Sequence, residues 1–176
     1  MDSINQSLFL ALNADANASL FTVKIAALLA EWPVGVAALF AIVVVVRQDN
    51  GKKHLIRQLF LAVSVAMIAT YFIRESLHYP RPFVLGLGKT WVSHDATPSF
   101  PSFHATFLFS LGFALLRTGV NTVAALFIVV LGCLTAWSRV YLGIHFPLDM
   151  VGAFFVALSS LFIVLWLPKQ KLSEGS

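Results

Sequence analysis

The sequence predicts an all-α integral membrane protein, a helical bundle of about five transmembrane helices preceded by an N-terminal interfacial helix. Two observations support this fold class. Of the 176 residues, 59% are hydrophobic and only 11% are charged, whereas about a quarter of the residues in soluble domains carry charge. The apolar residues also gather in long runs, and about 20 apolar residues in a helix cross a hydrocarbon core of about 30 Å.

The helices are expected in a simple order along the chain. Residues 4–12 are short and of mixed polarity, which is typical of a helix at the membrane interface. Five longer apolar runs are the expected spans: 20–46, 55–73, 103–116, 122–137 and 148–167. Because a chain of this length favours one domain, we expect residues 1–168 to form a single transmembrane domain and residues 169–176 a short cytoplasmic tail.

The basic residues indicate which side of the membrane each loop faces. With five spans, one side carries seven of the twelve Lys and Arg residues, namely Arg47, Lys52, Lys53, Arg57, Arg117, Lys169 and Lys171. The positive-inside rule makes this side cytoplasmic, so the polar, proline-containing loop 74–102 and the loop 138–147 face away from the cytoplasm. Since this basic charge lies in loops and the tail, the net charge of +4 does not indicate a nucleic-acid partner.

Three polar clusters fall on that outer side, at residues 74–82, 101–104 and 138–149. An up-and-down bundle brings them together although they lie far apart in sequence. Polar residues at membrane depth are costly and are usually functional. We therefore expect one site at the outer face.

The residue types in these clusters favour phosphate chemistry. The guanidinium groups of Arg74, Arg81 and Arg139 match phosphate oxygens in geometry and charge. Ser102 stands at the start of a predicted helix, where free backbone N–H groups attract an anion.

The same clusters contain groups that can transfer protons or attack phosphorus. His104 and His145 can act as acid, base or nucleophile near neutral pH. Asp149 follows His145 by four residues, so its carboxylate can hold one ring nitrogen and leave the other nucleophilic. The set indicates phosphoryl transfer through a phosphohistidine, with the arginines stabilising the transferred group.

These motifs resemble those of the type 2 phosphatidic acid phosphatase superfamily, which shares its site with the vanadium haloperoxidases. That family carries a Lys-x6-Arg-Pro motif, a Pro-Ser-Gly-His motif and a Ser-Arg-x5-His-x3-Asp motif. The first has its counterparts at Arg74, Arg81 and Pro82, with arginine in place of lysine. The second has them at Pro101, Ser102, Phe103 and His104, with phenylalanine in place of glycine, and the third matches fully at Ser138, Arg139, His145 and Asp149.

The resemblance implies a role for each residue and an acid phosphatase/vanadium haloperoxidase-like core. His145 would be the nucleophile, Asp149 would orient it, and His104 would protonate the leaving oxygen. The phosphate would be held by Arg74, Arg81, Arg139, Ser102 and the backbone N–H of Phe103. The family needs neither a metal nor another cofactor, and none is expected here.

Four further polar residues lie near the clusters. Glu31 sits in the outer half of the first span, where it either lines the pocket or is satisfied by Lys24 and water. Ser138 is expected to donate a hydrogen bond near the pocket rather than to attack phosphorus. His78 and His94 lie outside the motifs, and we expect neither to contact substrate.

Residues 136–150, AWSRVYLGIHFPLDM, are especially similar to the bacterial undecaprenyl pyrophosphate phosphatases of this superfamily. That resemblance implies hydrolysis of undecaprenyl pyrophosphate to the monophosphate at the outer face of the bacterial cytoplasmic (inner) membrane. It also implies carrier-lipid recycling for peptidoglycan synthesis and a role in bacitracin resistance. The expected partners are therefore a polyprenyl pyrophosphate substrate and membrane lipids.

Other functions use the same residues. A phosphatidylglycerophosphate or phosphatidate phosphatase would differ in its pocket, and a lipid A phosphotransferase would pass the phosphoryl group to a sugar. A lipid-binding or transport bundle would need the arginines but not the His145–Asp149 pair. A vanadate haloperoxidase does not fit so hydrophobic a chain.

Overall fold

The computed structural model describes residues 3–166, and side-chain surroundings as far as residue 163. Within that range the secondary structure is helical and contains no strand. The helices are α1 Ser3–Leu12, α2 Leu20–Val46, α3 Lys52–Leu77, α4 Phe103–Thr118, α5 Thr122–Tyr141 and α6 Pro147–Trp166, with a short 3₁₀ helix at Pro82–Leu85. The predicted tail, residues 169–176, lies outside the described residues, and the predicted domain limits stay a prediction.

The predicted all-α membrane fold is confirmed. Three helices, α2, α3 and α5, are long and apolar enough to cross a membrane, and α4 and α6 are shorter apolar helices. Local signals explain several of their ends. Ser19 and Asn121 cap α2 and α5 with side-chain oxygens, as N-cap residues do, and α4 ends at Gly119 in the left-handed conformation.

Two helices extend further than the apolar runs predicted. The second run was expected to end at residue 73 and the fourth at residue 137, but α3 continues to Leu77 and α5 to Tyr141. The added turns contain Arg74 and Arg139, whose side chains are buried inside the bundle. Polar residues there can continue a helix because they face the protein interior and find partners in it. Helix α3 ends at His78, whose φ is 48°.

Helix α4 lies at the centre of the bundle, against α3, α5 and α6, while α2 packs mainly on α5. Small residues allow α4 and α5 to approach closely. A Cβ atom on Gly132 would lie 3.0 Å from the ring of Phe109, and one on Gly112 would lie 2.7 Å from Val129. This packing fixes the first turn of α4 relative to the last turn of α5.

The loop between α3 and α4 is fastened to two other parts of the bundle. The side-chain amide of Asn13 donates to the carbonyl oxygens of Lys89, at 2.9 Å, and Tyr141, at 3.0 Å. Trp91 donates through its ring nitrogen to Ala14 and through its backbone to Leu142. The loop is therefore held over the end of the bundle where α3 and α5 finish and α4 and α6 begin, which we call the site end.

Candidate active site

A cavity of about 270 Å³ opens at the site end. Six residues predicted from the motifs line it: Arg74, Arg81, Phe103, His104, Arg139 and His145. The other lining residues are Tyr71, Glu75, His94, Thr97 and Pro98. The topology thus brings all three sequence clusters to one cavity.

The pair His145 and Asp149 lies at the floor of this cavity. Helix α6 begins at Pro147, so Asp149 occupies its first turn and reaches back to the preceding turn of chain. Its Oδ2 atom lies 2.9 Å from Nδ1 of His145 and accepts a 2.8 Å hydrogen bond from the backbone N–H of Phe146. Because an ionised carboxylate only accepts, Nδ1 carries the ring proton and Nε2 is the unprotonated nitrogen.

The second ring nitrogen of His145 faces the arginines. Nε2 lies 3.1 Å from Nη1 of Arg81. Burial, followed by the positive charges of Arg139, Arg81 and Arg74, lowers the pKa of His145 well below its usual range. The imidazole is therefore neutral, as a nucleophile must be.

Arg74 and Arg81 are fixed by acceptors on the loops. Arg81 donates to the carbonyl oxygens of Ile144, at 2.8 Å, and Thr97, at 2.9 Å. Arg74 donates to the carbonyl oxygens of Ser99, at 3.1 Å, and Pro101, at 3.0 Å. Burial and the neighbouring guanidinium groups lower the pKa of Arg81 to about 10, so it still carries its charge at neutral pH.

Arg139 completes the positive cluster from the last turn of α5. Its Nη1 donates to the carbonyl oxygen of Ala30, at 3.0 Å, and to Oε1 of Glu31, at 3.3 Å. Its Nε atom is buried and has no hydrogen-bond partner among the described residues. An unpaired buried donor within a cluster of three guanidinium groups favours the binding of an anion.

The first turn of α4 adds further donors. Ser102 is the N-cap, and its Oγ atom is fully buried without a partner within the described chain. The first N–H groups of a helix also lack intrahelical acceptors and attract anions. The side chain of Phe103 lies under the guanidinium group of Arg74, 4.7 Å from ring centroid to Cζ, so the ring at the usual glycine position supports an arginine.

Glu31 reaches the same cavity from α2. Its Oε2 lies 3.4 Å from Nε2 of His104 while its Oε1 contacts Arg139. The Glu31 side chain is 63% exposed, so these contacts hold it only weakly. Ser138 is not brought to the cavity lining, because its hydroxyl donates instead to the carbonyl oxygen of Thr135 in the same helix, at 2.9 Å.

Sequence reasoning missed three residues that the structure places at the site. His94 was expected to lie away from substrate, yet it lines the cavity with Nε2 3.3 Å from Nη2 of Arg139. Burial is the main cause that lowers the pKa of His94. Thr97 accepts hydrogen bonds from Arg74 and Arg81 through its hydroxyl, and Ser99 contacts the His145–Asp149 pair.

The site contains no cluster typical of a metal centre. Across the described part of the chain, no group of three or more His, Cys, Asp or Glu side chains could hold a metal ion.

Known proteins are similar to this chain in sequence. The model of the PAP2 superfamily matches residues 55–173. The chain is 32% identical to "Putative undecaprenyl-diphosphatase YbjG" of Escherichia coli K12 over 152 residues, which cover 86% of this chain and 76% of that protein. It is 31% identical to "Undecaprenyl-diphosphatase BcrC" of Bacillus subtilis 168 over 109 residues, or 62% of this chain and 55% of that protein.

Two solved structures have the same fold. LpxE of Aquifex aeolicus superposes with a TM-score of 0.76 at 20% identity, over 93% of this chain and 96% of that chain. A transmembrane PAP2-type phosphatidylglycerolphosphate phosphatase from Bacillus subtilis superposes with a TM-score of 0.67 at 17% identity, over 93% of this chain and 83% of that chain. The family match and the 32% identity to the Escherichia coli protein confirm the predicted resemblance. The chain belongs to the PAP2 superfamily of phosphatases.

Proposed function

We propose that the protein hydrolyses undecaprenyl pyrophosphate to undecaprenyl phosphate and inorganic phosphate through a phosphohistidine at His145, without a metal ion. The observation that carries the proposal is the buried His145–Asp149 pair, which leaves Nε2 unprotonated beside a cluster of guanidinium groups. A protein that only bound lipid phosphate would need the cations but not an oriented, neutral imidazole.

In the first step, the terminal phosphoryl group binds among Arg74, Arg81 and Arg139, with the start of α4 as a further donor. Nε2 of His145 attacks phosphorus, and the bond from phosphorus to the bridging oxygen breaks. The electron pair of that bond leaves with undecaprenyl phosphate, and His104 donates a proton to the leaving oxygen. The guanidinium groups stabilise the charge on the transferred phosphoryl oxygens.

In the second step, water attacks the phosphorus atom of the phosphohistidine. His104, now deprotonated, takes a proton from this water, and the electron pair of the P–N bond returns to Nε2 of His145. Inorganic phosphate leaves and the starting state is restored. Glu31, in contact with both His104 and Arg139, supplies a negative charge beside the phosphate-binding arginines.

A lipid substrate is supported by an apolar groove that extends along the bundle from Phe107 toward the end opposite the cavity. This groove of about 430 Å³ lies between α2, α3 and α4, and its lining is almost entirely apolar. Phe107, one helical turn along α4 from Phe103, is part of its lining. The choice of undecaprenyl pyrophosphate rests on the relatives named as undecaprenyl-diphosphatases.

The positions of the basic residues support a site that faces away from the cytoplasm, and we propose the bacterial inner membrane as its location. Arg47, Lys52 and Arg117 lie at helix ends opposite the cavity, where the positive-inside rule places the cytoplasm. This orientation puts the C-terminus in the cytoplasm. An enzyme so placed recycles the carrier lipid for peptidoglycan synthesis and lowers the amount of pyrophosphate lipid available to bacitracin.

A phosphatidylglycerophosphate or phosphatidate phosphatase is the second candidate, because a Bacillus subtilis enzyme of the first kind shares the fold. A lipid A phosphotransferase is a third, since the same residues could pass the phosphoryl group to a sugar.

The test is phosphate release by purified wild type and His145→Ala, with EDTA present, from undecaprenyl pyrophosphate, phosphatidylglycerophosphate and phosphatidate. We expect the wild type to prefer undecaprenyl pyrophosphate and the variant to be inactive on all three. Preference for either glycerolipid would reject the substrate but keep the mechanism. Equal activity of the variant would reject the mechanism, and loss of wild-type activity in EDTA would reject metal independence.

A further inference from the structure

Ser99 lies outside the three family motifs, yet its side chain is at the centre of the site. The residue is 0% exposed and precedes α4 by four positions. Its Oγ atom donates a hydrogen bond to Oδ2 of Asp149 and lies 3.2 Å from Nδ1 of His145. The hydroxyl therefore contacts both His145, the proposed nucleophile, and Asp149, which orients it.

The backbone of Ser99 has a different set of partners. Its N–H donates to the carbonyl oxygen of Tyr79 at 2.7 Å. Its carbonyl oxygen accepts from Nη1 of Arg74 at 3.1 Å. The backbone thus holds a phosphate-side arginine, while the side chain holds the nucleophile, and a side-chain substitution can separate the two contributions.

Packing against α6 fixes the position of this segment. The ring of Phe100 occupies the space beside Gly152, where an added Cβ atom would come within 2.3 Å of it. The same ring contacts that of Tyr79, with centroids 6.0 Å apart. Since Asp149 lies one turn before Gly152 on α6, this contact sets the distance between the Ser99 hydroxyl and the carboxylate.

The hydroxyl matters because of how the carboxylate is held. Oδ2 of Asp149 accepts from Ser99, from His145 and from the backbone of Phe146. Oδ1 is buried and has no partner in the described residues. Without Ser99 the carboxylate keeps fewer donors on Oδ2, and rotation that pairs Oδ1 instead becomes easier.

We propose that Ser99 is a positioning residue for the nucleophile. Its hydroxyl fixes Oδ2 of Asp149 against Nδ1 of His145, which keeps the ring proton on Nδ1 and directs an unprotonated Nε2 into the cavity. This inference rests on the proposed phosphohistidine mechanism. Groups of this kind, which orient a reacting or ligating side chain, typically contribute about 10-fold to 100-fold to activity.

The test compares Ser99→Ala with Ser160→Ala, a matched control. Ser160 is also buried, and its hydroxyl donates to a backbone oxygen in α6, far from the cavity along the helix. We expect Ser99→Ala to lower kcat on undecaprenyl pyrophosphate by about 10-fold to 100-fold with KM within about twofold, because the carbonyl that binds Arg74 is retained. Ser160→Ala should match the wild type in both constants.

The pH dependence of kcat/KM distinguishes a positioning role from loosened packing, which would leave the acid limb at the same pH. Without the Ser99 donor, the Asp149 carboxylate stabilises protonated His145 more strongly and raises its pKa. The acid limb of kcat/KM should therefore move to higher pH in Ser99→Ala. Ser99→Thr, which keeps the hydroxyl, should bring the limb back toward the wild-type position.

Three outcomes separate the possibilities. Unchanged kcat in Ser99→Ala, with His145→Ala inactive, would overturn the role of Ser99 and leave the proposed function standing. A lower kcat together with a higher KM and an unchanged acid limb would also overturn it, because that result would indicate that the substitution displaces the loop. Absence of wild-type turnover, or an active His145→Ala, would instead reject the proposed function.

Discussion

Nδ1 of His145 lies 2.9 Å from Oδ2 of Asp149, one helical turn further along the chain, and both side chains are almost fully buried. Burying two ionisable groups is costly unless each is hydrogen-bonded. Here the cost is offset by donors from Ser99 and Phe146 to the carboxylate. The pair leaves one imidazole nitrogen facing three guanidinium groups.

Asp149→Asn should remove most of the activity while the site stays assembled. An amide of the same size can donate as well as accept, so it no longer requires the proton to reside on Nδ1 of His145. We expect kcat to fall by about 10²-fold to 10⁴-fold, the range in which tautomer control acts in catalytic triads, with little change in KM. Steady-state kinetics with undecaprenyl pyrophosphate measure both, and a kcat within threefold of wild type would contradict the role assigned to the carboxylate.

His145 should remain neutral in mildly acidic solution. It lies in the turn between α5 and α6, where burial and then the arginine charges lower its pKa below the ordinary 6.5. Removing a cation in Arg81→Gln should raise that pKa, because the protonated ring then meets less repulsion. NMR titration of ¹³C-labelled histidine, with His145→Ala for assignment, measures the shift.

Arg117→Gln is the control for this titration, because Arg117 lies in the last turn of α4 at the opposite end of the bundle. It should leave the pKa of His145 unchanged. Titration of His145 at or above pH 6.5 in the wild type would show that the site does not suppress its protonation. No rise in Arg81→Gln would show that the Arg81 charge does not contribute to the lowered pKa.

His104→Ala should affect substrates according to their leaving group. The leaving oxygen of a pyrophosphate lipid belongs to a phosphate whose second pKa is about 6, so it needs little help from an acid. A phosphate monoester such as phosphatidate expels an alcohol and loses the full contribution of general acid catalysis, about 10²-fold to 10⁴-fold. Release of the lipid product in a single turnover measures the phosphorylation step alone.

The control for His104→Ala is His54→Ala, in the first turn of α3 at the far end of the bundle. His54→Ala should behave as wild type on both lipids. Equal losses on the pyrophosphate and on the monoester in His104→Ala would argue against His104 as the proton donor to the leaving oxygen.

Gly152→Ala should destabilise the protein and disturb the site together. The new methyl group would meet the ring of Phe100 at 2.3 Å, and overpacking of this kind costs about 1–3 kcal/mol. Gly35→Ala in α2 is the matched control, since nothing lies within 4 Å of its added Cβ atom, and alanine favours a helix by about 0.5–1 kcal/mol.

Thermal unfolding in detergent and kcat report on both glycine variants. We expect a lower Tm and a lower kcat for Gly152→Ala, because the segment that carries Ser99 must move. Gly35→Ala should have an equal or higher Tm and wild-type kcat. A Gly152→Ala variant with unchanged Tm would mean that Phe100 does not pack there.

The sequence predicts the helices of this protein well because long apolar runs have one stable form in a membrane. It also predicts the meeting of His104, His145 and the three arginines, since up-and-down topology puts alternate helix ends on one side. The ends of α3 and α5 were placed four residues early because polar residues such as Arg74 and Arg139 resemble a loop when burial is unknown.

The contributions of Thr97 and Ser99 could not be predicted in the same way. They lie in an irregular loop without periodicity, and serine and threonine are ordinary loop residues. Their contacts depend on how Phe100 packs against Gly152 and how Asn13 and Trp91 fasten the loop. His94 was missed for a similar reason, because only the path of the loop brings it to Arg139.

The most direct test of the central claim is to trap the phosphoenzyme. Undecaprenyl pyrophosphate labelled with ³²P in its terminal phosphate is mixed with excess protein, quenched in base within milliseconds, and the protein is separated and mapped. The account predicts a base-stable, acid-labile label on the peptide that contains His145, and no label in His145→Ala. Single-turnover release of phosphate without any labelled protein, or an acid-stable label on a serine, would contradict it.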